Sequence, residues 1–170
     1  MLVNTINLAE RFAYSDRYKT LFDDGMSLVE NSASYLDGPG RKAAKTLPQS
    51  AALFYGAESM RLTTRLMQLA SWLLLQRAAN EGEMTREQLL DEKKKVVLEA
   101  SKAPIDNESW SLLPEDFKDL VLKSITLQSR VRKLDTELYG ERQVQDGNAS
   151  NPISQQIDLL STAFGARRLS

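Results

Sequence analysis

Between Pro48 and Glu81 apolar residues recur at the spacing of an α-helix, and from Leu66 to Leu75 they spread around nearly its whole circumference. A helix over that range is roughly 50 Å long at 1.5 Å per residue. Its stripe is Leu53, Phe54, Ala57, Met60, Leu62, Leu66, Leu69, Ala70 and Leu73, while Trp72 and Leu74 point away from it. A helix apolar on every side has to be covered on every side. The run therefore predicts a helix central to a bundle or seated at a subunit interface, with Met67, Trp72 and Leu74 as the residues of a dimer interface. The apolar segment is about ten residues long between Arg65 and Arg77, against the roughly 20 that a membrane span needs, so it reads as a buried helix segment.

The remaining pattern is helical too. Leucine occurs 26 times, Ile and Val together 12 times, and Leu-rich, β-branch-poor composition favours helix over strand. A first long helix is predicted from Asp16 to Tyr35, with Ser15 as N-cap and Gly38-Pro39-Gly40 as its stop. Its stripe is Tyr18, Leu21, Phe22, Leu28, Val29, Ala33 and Leu36. Leu8 and Phe12 before it support a short amphipathic lead-in, and Arg41 to Thr46 is helix-compatible. Thr85 with Gln88 three residues later is a capping box opening a third helix, expected to end near Ala100 with Leu89, Leu90, Val96 and Val97 inward. A loop from Pro104 to Leu113 follows. Pro114 then sits at the start of a fourth helix, with Glu115 and Asp116 in its first turn and Gly140 beyond its end. Phe117, Leu120, Val121, Ser124, Leu127, Val131, Leu134 and Leu138 form its stripe. The fold class read from this is all-α: an antiparallel helical bundle of three long helices plus shorter ones.

After Glu141 the composition changes. Residues 143–151 are polar and read as a flexible linker. Ile153, Ile157, Leu160 and Phe164 then restart a helical spacing that Gly165 ends. The chain thus divides into a bundle domain, 1–141, and a flexible tail, 142–170. The tail's amphipathic stretch reads either as a further helix packed on its own bundle or as a portable helix that docks in a partner's groove.

Composition pushes the chain away from most chemistry. There are 22 Lys+Arg against 23 Asp+Glu, a net charge of −1, which argues against a nucleic-acid binder and a polybasic membrane clamp. The 170 residues contain no Cys and no His, which removes thiolate chemistry, the usual general base and the commonest metal ligand. Carboxylate metal sites in bundles use Glu-x-x-His pairs, which are therefore missing. There is no Gly-rich phosphate loop and no GxSxG or SxxK motif. No catalytic, cofactor or metal residue is assigned. Asp91 and Glu92 beside Lys93 to Lys95 read as a solvated face. Glu58, Arg61 and Arg65 read either as an exposed ion-pair stripe or as a docking surface whose arginines recognise a partner's carboxylate. Met1 to Ala13 holds Glu10 and Arg11 and no sustained apolar run, so no signal peptide is expected and the default compartment is cytoplasmic.

Three runs carry a family resemblance. They are Ala-Glu-Ser-Met-Arg-Leu-Thr-Thr-Arg-Leu-Met-Gln-Leu-Ala-Ser-Trp-Leu-Leu-Leu-Gln-Arg from Ala57 to Arg77, Gly-Arg-Lys-Ala-Ala-Lys-Thr-Leu-Pro from Gly40 to Pro48, and Asn-Pro-Ile-Ser-Gln-Gln-Ile-Asp-Leu-Leu-Ser-Thr-Ala-Phe-Gly from Asn151 to Gly165. Together they resemble the RcdA family, "regulator of CtrA degradation", of alphaproteobacteria. The resemblance implies a homodimeric, non-enzymatic adaptor for the ClpXP protease, acting on ClpX primed by a single-domain response regulator. It implies cell-cycle regulators, transcription factors among them, as cargo, and a further adaptor that binds cyclic di-GMP and delivers CtrA. Nucleic acid and membrane are not implied partners. The implied location is cytoplasmic, with recruitment to a cell pole alongside the protease. A protease-tethering role carries over to Pro152, Ile153, Gln156, Leu160, Ala163 and Phe164, with Ile157 from the amphipathic spacing.

Overall fold

The computed structural model describes residues 16–140. Ser15, the Leu8–Phe12 lead-in and the tail with its linker lie outside them. Every described element is helical: α1 (Asp16–Asp37), α2 (Pro39–Ala44), α3 (Gln49–Asn80), α4 (Arg86–Lys95), a 3-10 helix (Glu108–Leu112) and α5 (Glu115–Tyr139). The fold is all-α, with three long helices and shorter ones between them.

α1 buries Tyr18, Leu21, Gly25, Leu28 and Ser32, alternating steps of three and four that keep one face inward. Ala33, expected in the core, is exposed, and its place is taken by the small Ser32. α1 runs antiparallel to α3. The Tyr18 hydroxyl donates to the Leu73 carbonyl at 2.8 Å, and at the other end Gly40, one turn past α1, lies against Tyr55. α1 is also antiparallel to α5, with Tyr35 stacked on Phe117 at 6.3 Å between centroids and Asp24 paired with Arg130 at 3.6 Å. α3 and α5 run in the same direction, since Tyr55 meets Phe117 and, further along both, Arg65 meets Ser124. Two parallel neighbours need a long return connection, which α4 and the segment through the 3-10 helix supply.

Glycines mark the closest approaches. A Cβ on Gly25 would collide with a Leu73 δ-methyl and sit 3.6 Å from Leu127, where the three long helices converge. A Cβ on Gly40 would lie 2.5 Å from the Tyr55 hydroxyl and 2.8 Å from the Tyr35 carbonyl. α3 ends in a Schellman motif: Gly82 takes φ +74°, its N–H donates to the Ala79 carbonyl, and the Glu83 N–H donates to that of Ala78. The Thr85–Gln88 capping box opens α4 in both directions, at 3.0 and 3.2 Å.

Two expectations change. α4 stops at Lys95 rather than near Ala100, because Val96 takes extended backbone at φ −91°, ψ 110°. Only Leu89 of its expected inner face is fully buried, and Val97 is half exposed. Leu53 and Met60 lie outside the core at 71% and 73% exposure, whereas Ala51, Tyr55 and Leu62 are buried in α3. The chain divides within α5 into two compact units, the first ending at Arg132 and the second beginning at Lys133. In the second, Leu134, Leu138 and Tyr139 are buried.

Candidate functional site

α3 presents two features beside its core face. The first is an exposed apolar stripe. Leu53, Met60, Met67 and Leu74 are 71%, 73%, 66% and 49% exposed, each seven residues after the last. Seven residues are close to two helical turns, so the four line up along about 32 Å of one face. Small side chains lie between them: Gly56, Ala57, Thr63, Thr64, Ala70 and Ser71. The order is almost symmetric about its midpoint, with Leu53 matching Leu74, Met60 matching Met67 and Ala57 matching Ala70.

Trp72 does not share this face. It was expected at a subunit interface, but it is 1% exposed and buried within its own chain. α4 is the reason: Lys93 lays its ammonium 4.6 Å from the centre of the Trp72 ring and donates to the Gln76 side chain at 3.2 Å. A short helix thus covers the flank of α3 that periodicity left bare. Met67 and Leu74 of the expected interface are exposed.

The second feature is a groove of about 510 Å³ that adjoins the stripe at Met60 and runs around α3 away from it. α3 lines it with Met60, Arg61, Thr64, Arg65 and Gln68, the segment after α4 with Val97, Glu99 and Ser101, and α5 with Gln128. The expected Glu58, Arg61, Arg65 surface is divided by it. Glu58 and Arg65 are buried, at 2% and 7% exposure, and do not form an exposed stripe. Arg61 is exposed and pairs with Glu58. Arg65 donates Nε to Ser101 Oγ at 3.3 Å and Nη1 to Ser124 Oγ at 2.8 Å. Burial pushes the Arg65 guanidinium below its usual pKa, with the Glu58 charge opposing and Arg61 adding to the fall. Among the described residues no group of three or more acidic side chains is placed to hold a metal ion, and no helix is long and apolar enough to cross a membrane.

The comparison that decides the family is with the crystal structure of RcdA from Caulobacter crescentus. It is 45% identical, with a TM-score of 0.62, and the alignment covers 76% of this chain and 97% of that one. The chain belongs to the RcdA family. A family model described as a protein of unknown function, DUF1465, also matches residues 9–164. No curated protein matches. For this RcdA-family chain the tail positions Pro152, Ile153, Gln156, Ile157, Leu160, Ala163 and Phe164 lie outside the described residues.

Gln128 is the groove residue that sequence reading passed over. The signal was there: Ser124 and Gln128 are polar residues one turn apart on the apolar stripe of α5, and both are buried, at 0% and 2% exposure. A polar side chain at a core position is more informative than an exposed one.

Proposed function

We propose that this protein is a non-enzymatic adaptor that tethers cell-cycle regulatory cargo, and a further cyclic-di-GMP-binding adaptor, to ClpXP primed by a single-domain response regulator. The observation that carries the reading is the likeness to RcdA over nearly the whole of that chain. Adaptors of this kind act by proximity. Tethering cargo near the unfoldase raises its effective concentration to about the mM range over a short flexible linker, so each contact can stay modest. Residues 1–141 take the role of cargo-holding body. The tail, through Pro152, Ile153, Gln156, Ile157, Leu160, Ala163 and Phe164, takes the role of protease tether. The setting is cytoplasmic, with recruitment to a cell pole.

The working form is a homodimer. The near-symmetric stripe Leu53, Met60, Met67 and Leu74 suits an isologous contact, in which residue i meets j and j meets i across a two-fold axis. Large side chains alternating with Ala, Gly and Thr suit knobs entering holes. Met67 and Leu74 remain in this interface; Trp72 does not.

A reconstituted degradation assay tests the function: purified cargo regulator, ClpXP, the priming response regulator, and this protein added or withheld. Cargo loss should need all components and should fall again at excess adaptor, when cargo and protease occupy separate copies. Cargo loss at the same rate with and without the protein overturns the reading.

A further inference from the structure

The groove beside α3 holds two polar groups whose bonding capacity the fold leaves unspent. Arg65 is more than nine-tenths buried, yet both its acceptors are neutral hydroxyls, of Ser101 and Ser124. A guanidinium has five N–H donors, so three of them make no hydrogen bond among the described residues. Glu58, whose charge acts on Arg65, is paired with Arg61. Gln128, 2% exposed, lines the same groove, and its amide bonds no other described residue. The unbonded donors of both side chains open on the groove and are free to meet a ligand. One ligand suits both: a carboxylate, whose two oxygens accept about four hydrogen bonds and match the planar fork of arginine.

We propose that this groove binds an Asp or Glu side chain presented by a partner protein, with Arg65 and Gln128 as its donors. This rests on reading the chain as an adaptor that docks other proteins. A side chain fits better than a chain end. Terminal carboxylates are captured by nests of free backbone N–H groups, whereas the donors proposed here are side chains held on α3 and α5, whose own backbone donors are used within the helices. A polyanion fits worse, because the exposed Glu99 carboxylate lines the same groove. Val97, 50% exposed, gives the residues flanking the acid an apolar wall.

The test uses the full chain, isotope-labelled for NMR, and three pentapeptides. The first is acetyl-Leu-Ala-Glu-Ala-Leu-amide, the second has Gln for Glu, and the third is the Gln peptide with a free C-terminal carboxylate. The Glu peptide should shift the Arg65 Nε–H and Gln128 side-chain amide signals and saturate. The Gln peptide at the same concentration should not. Val97→Asp, at a half-exposed position, should weaken the Glu peptide roughly tenfold by like-charge repulsion and leave the fold intact. Gln128→Met should weaken it roughly fivefold. Equal binding of the Glu and Gln peptides, stronger binding of the free-terminus peptide, shifts confined to other residues, or unaltered affinity in Val97→Asp each overturn the proposal. The adaptor role fails separately. A protein that binds the Glu peptide here but leaves cargo degradation unaltered keeps this site and loses that role. One that delivers cargo and ignores the peptide loses this site alone.

Discussion

Tyr18 ties α1 to α3 through one polar atom, its hydroxyl donating to the Leu73 carbonyl at 2.8 Å. Burial pushes its phenol up to about 12, with Arg77 opposing the rise and Glu81 adding to it. The folded chain therefore keeps a proton that the unfolded chain loses near pH 10. This stabilisation is fully present below pH 10 and is lost as pH rises through about 12, a change of about 2–3 kcal/mol at 1.36 kcal/mol per pH unit. Tyr18→Phe should cost about 1 kcal/mol at pH 7, the net worth of a typical hydrogen bond. Its deficit against the unmodified protein should shrink between pH 10 and 12. Urea midpoints at pH 7, 10 and 11.5 check this; a constant difference contradicts it. Trp72 carries a larger load, being 1% exposed beneath Lys93. Trp72→Ala should cost about 3–5 kcal/mol through the cavity it leaves. Urea unfolding should show that loss at any protein concentration, since the residue belongs to the protomer core and not to an interface.

α3 works on three faces at once. Its inner face packs on α1 and α5, one flank is covered by α4, and the remaining face carries the stripe of Leu53, Met60, Met67 and Leu74. The small helix α2 sits where the chain turns between α1 and α3, and Gly40 sets how close that turn comes. The Tyr35 carbonyl beside it is backbone and yields little. Gly40→Ala should therefore destabilise by about 1–3 kcal/mol, the usual cost of overpacking, despite alanine's better helix propensity. Thermal unfolding checks the sign. A stabilised Gly40→Ala protein would mean that α2 moves off Tyr35 and Tyr55 freely.

At the scale of the whole molecule the predictions concern assembly and delivery. The double change Met67→Glu and Leu74→Glu places charges at the centre and one end of the proposed two-fold contact. It should convert a dimer to a monomer at micromolar concentration and leave helical content unaltered, because both side chains are exposed in the protomer. Sedimentation velocity with circular dichroism reads both. Dimers that persist place the contact elsewhere; a dimer-free unmodified protein removes it. Phe164 is the largest apolar side chain of the proposed tether. If it fills a pocket on the protease it is worth about 2 kcal/mol. Phe164→Ala should thus weaken delivery by roughly thirtyfold, at 1.4 kcal/mol per factor of ten, with cargo binding nearly unchanged. Cargo degradation followed across adaptor concentration gives the shift. Overlapping curves for the two proteins assign the tether to other residues.

The helices and most of their ends were legible in the sequence because they are local; the end of α4, expected near Ala100 and found at Lys95, was not. The Thr85–Gln88 box and the α5 stripe from Phe117 to Val131 depend on residues three or four apart, and both stand in the fold. What lies around each helix was not local. Periodicity counted Leu53 and Met60 as core because they are apolar, but whether an apolar face is covered depends on which element packs there. α4 arrived over Trp72, and nothing in the chain packs over Leu53, Met60, Met67 and Leu74 among the described residues. Glu58 and Arg65 read as an exposed pair because charge is usually solvated; the fold buries both, since Arg61 reaches in to one and two serines from distant segments reach the other. The sequence by itself determined an all-helical chain, its breaks and its family. Only tertiary packing decided the direction of α5, the covering of Trp72 by Lys93 and the placing of Arg65 and Gln128 on one groove, because these join residues many helical turns apart in the chain, where no spacing rule reaches.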